Sequence, residues 1–400
     1  MIARLLYKAL LFSAILFSRA TSKGTLQRDR VKRVLVIELT KLGDVVSCLP
    51  FFPPLKEFVP NAAIVVLVQS QCASLFPLVQ EIDEVLTPHM SRGIWGLMKS
   101  VRQIRRQGFD LVVSASPSLR HGLLVLLSGA RYKFGFLEFS RAKVFHLQTH
   151  RVRSLGFQLQ TSSTGLLKNI NERVDHLCRC LGARVPERKP ALAFLRVSSS
   201  LGTKAAKTLG LANGSSYVIV HPFTSWEYRT WPIENFRILV CRILETSTEH
   251  VVLVGAESDK SPLQPLIGEF ERNPRVSFGI GLELDSLARV IANARLFVGS
   301  DSGPLHLAAA VGTPSVGLFG PAPPELTGSE TPMESHVYKR VECSPCNQES
   351  CVRKWAPCMT LIPVDEVFDR VSEFLVSGSR SHLSQTAPPP NSPQGQSHST

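Results

Sequence analysis

The sequence contains no Asp-x-Asp pair to seat a divalent cation, and no helix-turn-helix, zinc-finger or RRM-like signature. A formal charge of +13 therefore comes without an element that reads nucleic acid. The apolar run nearest the start, Ala9 to Phe17, is far too short to cross a bilayer. A cysteine framework spread through the chain is lacking too. The nine cysteines are odd in number, and Cys48, Cys72, Cys178, Cys180 and Cys241 fall in apolar or helical settings, where a thiol packs as a small hydrophobe. That pattern argues for a reducing cytoplasm rather than a disulfide scaffold.

The positive charge sits in two blocks. Residues 1–33 carry a net +7 and residues 92–153 a net +10, so the remainder is slightly acidic. Charge gathered this way points to an anionic surface or partner rather than to general solubility. In MIARLLYKALLFSAILFSRA, Arg4 and Lys8 flank the short apolar run, and no clear small-residue cleavage site follows. The segment reads as an amphipathic anchor lying on a membrane surface, against the alternatives of a cleaved signal or a start-site artefact.

From Val31 onward the pattern is α/β. Val34–Ile37, Ile64–Val68, Asp83–Leu86 and Leu111–Val113 read as strands, with helices at 44–58, from Ile94 to Ile104, and at 119–127 and 171–181. Pro50, Pro53 and Pro54 strain the first of these helices. Residues 183–215, rich in Pro, Lys, Ser and Gly, read as a linker. A second alternating set follows: strands 217–221, 250–254, 296–298 and 315–319, helices 233–245 and 285–292. Residues 378–400 lack the apolar content to order themselves.

The most informative stretch is ARLFVGSDSGPLHLAAAVGTPSVGLFGP, Ala294 to Pro321. It reads as strand, tight turn, helix, loop, strand. Pro304 suits the first turn of a helix and Gly312 its end. Such a unit aims backbone N–H groups and a partial positive charge at the crevice above a parallel sheet, which suits a phosphate. Asp301 and His306 flank the turn at the carboxyl end of a strand, where such sheets bind ligands. An ordinary βαβ unit is the plain alternative.

SDSGPLHLAAAVGTPSVGLFGP resembles the C-terminal segment of the ADP-heptose:lipopolysaccharide heptosyltransferases, glycosyltransferase family nine. VLVIELTKLGDVVSCLPFFPPLKEFVPNAAIVVLV (34–68) resembles that family's first strand, S-x-x-G-D loop and first helix. HPFTSWEYRTWPIENFRILV (221–240) is similar to its K-x-W-P segment, and CSPCNQESCVRKWAPCM (343–359) to its Cys-rich segment. The four blocks fall in the family's order.

The resemblance implies a GT-B architecture, two Rossmann-like doubly wound domains facing a cleft. The expected organisation is an N-terminal segment 1–30, an acceptor domain 31–185, a linker 186–215, a nucleotide-sugar domain 216–377 and a tail 378–400. The implied activity is inverting transfer of a heptose or related sugar from a nucleotide sugar, ADP-heptose, to the lipopolysaccharide inner core. A relative with another nucleotide sugar or acceptor, an epimerase included, or a non-catalytic nucleotide- or lipid-binding protein are the rival readings. The enzyme would work in the cytoplasm, peripheral on an anionic inner membrane, with a nucleotide-sugar donor, an anionic glycolipid acceptor and no nucleic acid.

The resemblance makes Asp44 the catalytic base, although an Asp there also suits a helix cap. Arg229 stands where the family has Lys and would neutralise the leaving diphosphate, with a different geometry. Pro304, Leu305 and His306 would start the phosphate-facing helix, with a helix-face histidine bonded to a neighbouring loop as the plain alternative for His306; Asp301, Ser302, Gly303 and Thr224 would complete the donor site. By the general α/β rule Glu257, just after the strand ending at Val254, would meet the ribose, with a solvated loop acid as the equal alternative. Gly43, Lys99, Arg102, Arg105, Arg106 and Arg120 are the acceptor-side candidates, with a solvated helix face as the plain alternative for the basic run. Transfer is expected to need neither metal nor cofactor. Cys343, Cys346, Cys351 and Cys358 admit zinc, a redox-sensitive disulfide or a reduced structural loop.

Overall fold

The computed structural model describes residues 26–89, 93–116, 118–138, 157–160, 170–186, 195, 197, 209–211, 214–329, 331, 333–346, 350–353 and 355–376. Most of the N-terminal segment 1–30, most of the linker 186–215 and all of the tail 378–400 lie outside them.

Continuous apolar runs buried on both faces make parallel strands, and this chain builds two such sheets. The first holds β1 (Arg33–Glu38), β2 (Ala63–Val68), β3 (Glu84–Leu86), β4 (Leu111–Val113), β5 (Tyr132–Glu138) and β6 (Phe157–Gln160), in the order β3-β2-β1-β4-β5-β6. The second holds β7 (Tyr217–His221), β8 (His250–Gly255), β9 (Val276–Ile280), β10 (Leu296–Ser300), β11 (Ser315–Phe319) and β12 (Glu334–Tyr338), in the order β12-β11-β10-β7-β8-β9. Read from β9, the second order repeats the first. Every pairing is parallel, and each sheet reverses its winding between its first and fourth strands. Ligands bind at the carboxyl edge of such a switch point.

The helices are α1 (Leu42–Ser47), α2 (Phe52–Phe58), α3 (Gly93–Gln107), α4 (Leu119–Leu127), α5 (Ile170–Leu181), α6 (Ile233–Thr246), α7 (Gln264–Phe270), α8 (Leu284–Ala292), α9 (Gly303–Val311), α10 (Pro324–Thr327), α11 (Pro357–Thr360) and α12 (Val364–Val376). β1 shows how the layers form. Val34 and Val36 pack with Val45 and Val46 of α1 on one face, while Leu35 and Ile37 pack with Leu97, Val101 and Ile104 of α3 on the other.

The single helix expected over 44–58 is instead α1, a 3-10 turn at Leu49–Phe51 and α2. Pro50 lacks the N–H an α-helix needs there and its ring opposes the carbonyl four residues back. Pro53 sits in the first turn of α2, where that N–H is not needed.

One apolar core crosses between the sheets. Val45, Val46, Cys72, Leu75 and Phe76 from the N-terminal half share it with Leu287, Val290, Leu305 and Ala308 from the C-terminal half. α1 packs on α9, and the 3-10 segment Ser70–Leu78 packs on α8. The starts of α1 and α9 therefore meet at the cleft. Among the described residues no helix is long and apolar enough to cross a membrane.

Candidate functional site

On the N-terminal side the site is the loop after β1. Gln69 Nε2 donates to the carbonyls of Leu39 (2.6 Å) and Thr40 (3.3 Å). The Leu39 N–H donates to His121 Nε2 at 2.8 Å, and His121 Nδ1 bonds the hydroxyl of Ser118, the N-cap of α4. Accepting at Nε2 fixes the proton on Nδ1. Burial first, and then Arg120, hold His121 down to about 3, so it is a neutral strut under the loop.

Beneath the same loop Glu38 is buried. It accepts hydrogen bonds from the Thr40 hydroxyl and from Cys48 Sγ (3.3 Å). Burial pushes its carboxyl up to about 7; Asp44 adds to the rise, while the Thr40 and Cys48 bonds and Arg173 oppose it. Asp44 itself is exposed in the first turn of α1. The N-cap is Lys41, so Asp44 does not cap this helix. Its carboxylate stands beside the positive helix end and within electrostatic reach of His306.

The C-terminal side is built around Trp231, fully buried and edge-on to Phe236. Its Nε1 donates to the Ile362 carbonyl (3.0 Å) and its backbone N–H to Ser300 Oγ (3.3 Å). Those bonds fix the loop that carries Arg229. The Thr224 hydroxyl is spent inside that loop, donating to the Trp226 carbonyl at 2.7 Å and meeting Thr230 Oγ1 at 3.2 Å. Thr224 therefore shapes the loop, in place of the free hydroxyl expected for the diphosphate.

Asp301, 3% exposed at the end of β10, ties the centre together. It accepts from Thr327 Oγ1 (3.0 Å) and lies 3.5 Å from both Arg229 Nη1 and His306 Nε2. Burial acts to raise the Asp301 carboxyl, yet His306, Arg229 and Thr327 hold it below its ordinary value. Burial likewise acts to lower His306, yet Asp301, Glu334 and Asp44 hold it above its ordinary value. The result is an Asp301 carboxylate held between the Arg229 guanidinium and the His306 imidazole.

A second cation arrives from the other side of the cleft. Lys41 Nζ donates to Ser225 Oγ at 3.1 Å, and Arg229 Nη2 donates to the same hydroxyl at 3.3 Å. Arg229 Nε is buried without a hydrogen-bond partner. Lys41 and Arg229 thus converge on one hydroxyl with an unspent guanidinium N–H between them, an arrangement that offers donors to an anion.

The start of α9 contributes less than its sequence suggests. Pro304 has no N–H, and the N–H groups of Leu305 and His306 donate to the Ser302 carbonyl (3.1 and 3.3 Å). The Leu305 side chain is wholly in the core. Ser302 turns its hydroxyl to His221 Nδ1 (3.3 Å) and makes no side-chain cap. What α9 offers is its dipole and the close approach allowed by Gly303. Glu257 is exposed in the turn after β8, beside Gly281.

The acceptor-side candidates do not gather. Gly43 touches His306, and exposed Arg120 opens α4 beside His121 at the same edge. Lys99 and Arg102 are exposed along α3. Arg105 and Arg106 lie at its far end: neighbouring Gln107 accepts from Arg33, the first residue of β1, at 2.8 Å. Arg105 Nε donates to the Leu127 carbonyl at the finish of α4 (2.7 Å). A crossover helix runs back along its sheet, so fifteen residues carry its last turn roughly 20 Å from the carboxyl edge.

The four clustered cysteines come together around Cys358, whose thiol is pushed up to about 11 by burial first and then by Cys343, Cys346 and Cys351. Cys351 also stands near Tyr228, next to Arg229, so a loop distant in sequence borders the site in space. Among the described residues no group of three or more His, Cys, Asp or Glu is arranged to hold a metal ion.

Lys41, Ser225, Thr327 and Glu38 were not among the sequence candidates. A lysine two residues before Gly43-Asp44 was a readable signal for the first; Thr327 had none.

Comparison with known proteins places the chain in a family. The lipopolysaccharide heptosyltransferase 1 of Pseudomonas aeruginosa is 24% identical over 335 residues, 80% of this chain and 87% of that protein. The glycosyl transferase family 9 structure from Veillonella parvula gives a TM-score of 0.68 at 18% identity, covering 88% of this chain and 99% of that one. E. coli ADP-heptose lps heptosyltransferase II gives 0.67 at 17% identity, covering 86% and 99%. These likenesses show the fold, a GT-B pair of doubly wound sheets. The family model described as glycosyltransferase family 9 (heptosyltransferase) matches residues 97–356, well over half of the chain. The protein belongs to that family and is a glycosyltransferase.

Proposed function

We propose that the enzyme moves a heptose from ADP-heptose to the inner core of lipopolysaccharide, with inversion at the anomeric carbon. Asp44 takes the proton of the acceptor hydroxyl as its oxygen bonds the anomeric carbon. The bond from that carbon to the diphosphate oxygen breaks, and ADP leaves with the electron pair. Arg229 and His306, positioned by Asp301, neutralise the leaving charge, with the dipole of α9 behind them. Glu257 meets the ribose, Ser302 and Gly303 approach the diphosphate, and Gly43 and Arg120 border the acceptor. In this reading the N-terminal half, 31–185, takes the acceptor and the C-terminal half, 216–377, the donor. The 1–30 segment keeps the enzyme on the cytoplasmic face of the inner membrane.

The observation that supports this best is the Arg229–Asp301–His306 cluster facing Asp44 across the cleft. The names of the Pseudomonas and E. coli proteins support the choice of sugar and acceptor. Incubating purified protein with a panel of nucleotide sugars and a heptose-free core acceptor tests it. ADP release dependent on both ADP-heptose and acceptor is expected. Release from another nucleotide sugar alone would overturn the donor assignment.

A further inference from the structure

We infer that the outer face of α3 is a docking surface for an anionic lipid bilayer. Trp95, Met98, Lys99, Arg102 and Arg106 follow one another at spacings of three, one, three and four, which places them on one stripe of the helix. The opposite stripe, Leu97, Val101 and Ile104, is buried on the first sheet. Trp95 is 75% exposed and Met98 46%. Two large apolar side chains left in water beside a row of cations are costly in a free protein and suit an interface that is apolar on one side and anionic on the other.

The cations are also unspent. Among the described residues Lys99, Arg102 and Arg106 form no ion pair, whereas their neighbour Arg105 is committed to the Leu127 carbonyl. The three line a shallow groove of about 580 Å³ with His89, Gln103 and Gln107. A groove walled by unpaired cations is a seat for phosphate headgroups, and Trp95 beside it selects a bilayer over free phosphate.

The direction of the stripe fits. Trp95 and Met98 lie toward the start of α3, near the carboxyl edge that carries Asp44, and Arg106 at the opposite edge. Laid on a membrane, this face holds the N-terminal half against the lipid with the cleft mouth beside it. The inference rests on the reading that the acceptor is membrane-borne. It gives the basic run a role that does not require Arg106 to reach the cleft.

The test uses the full chain and vesicles of anionic or zwitterionic phospholipid. Wild type should prefer anionic vesicles. Lys99→Gln, Arg102→Gln and Arg106→Gln together should weaken that binding about a hundredfold at low salt. Lipid-borne quenchers should dim the fluorescence of wild type, and Trp95→Phe should remove that quenching even where residues 1–30 sustain binding. Turnover on a soluble, delipidated acceptor should survive in both variants. Unchanged binding and unchanged quenching would overturn the inference. So would loss of soluble-acceptor turnover in the triple variant with binding intact, which would return the arginines to the acceptor site. Stripe-dependent binding without release of any nucleoside diphosphate would sink the catalytic reading and leave the docking surface standing.

Discussion

Gly43 and His306 touch across the cleft: a Cβ on Gly43 would stand 2.9 Å from the imidazole Cδ2. The neighbouring approach is as close. A Cβ on Gly303 would stand 2.8 Å from Leu42 Cβ. Two helix starts therefore meet through two glycines. Gly303→Ala should force α1 and α9 apart, lowering kcat by about a hundredfold through misplacement of the reacting groups. The Tm should fall by an amount corresponding to about 1–3 kcal/mol of overpacking. Wild-type kcat in this variant would show that the contact does not set the catalytic distance.

Asp44→Asn keeps size and removes basicity. Transfer should drop by about 10²–10⁴-fold, with donor affinity measured by calorimetry unchanged. Transfer within a few-fold of wild type would take the base role away from Asp44.

Arg229→Ala should weaken donor and ADP together, because both present the diphosphate to the same guanidinium. Arg229→Lys should restore much of that affinity, the charge mattering more than the fork. Equal donor affinity in wild type and the Ala variant would assign Arg229 to holding Asp301 alone.

Glu38 predicts a pH dependence of stability. Its carboxyl moves from 4.5 to about 7 on folding, so between those values the folded state holds the extra proton. Stability should fall as pH rises through that window and level off above it, by an amount on the order of 3 kcal/mol. Asp44, Arg173, Cys48 and Cys72 are the titratable or charged groups that face it. Glu38→Gln should flatten the Tm-against-pH curve between pH 5 and about 7.5; a curve that keeps its slope would assign the dependence to another group.

Protein purified without chelator should carry well under one zinc per chain. Cys343, Cys346, Cys351 and Cys358 gather without forming a metal-holding set. One tightly held zinc would give the cluster a coordinating role.

The fold was legible because its signals are local. Val34–Ile37 and Leu296–Val298 are buried on both faces and announce parallel strands; Pro304 and Gly312 bracket α9. β5, β6, β9, β12 and α7 were not read, because short segments of mixed polarity declare themselves only once a partner covers them; α12 was also passed over, although Val367 and Val371 mark one buried face of its thirteen residues. The site was legible where one turn carries it, as at Asp301 and His306. It was not legible where elements far apart converge, as when Thr327 meets Asp301 or Lys41 meets Ser225. The basic run of α3 was legible only as a face: spacing places Lys99, Arg102 and Arg106 on one side of the helix, while the sheet decides which end of it lies at the carboxyl edge.

The apolar core that passes from Val46 and Phe76 to Val290 and Ile291 limits how this enzyme breathes. Gaping like a clam would strip water-averse surface bare with each turnover. Sliding or twisting of α1 along α9 and of Ser70–Leu78 along α8 keeps that surface covered. Substrate exchange is therefore expected to proceed by shear, the reacting edges of the halves shifting past one another while their roots stay joined.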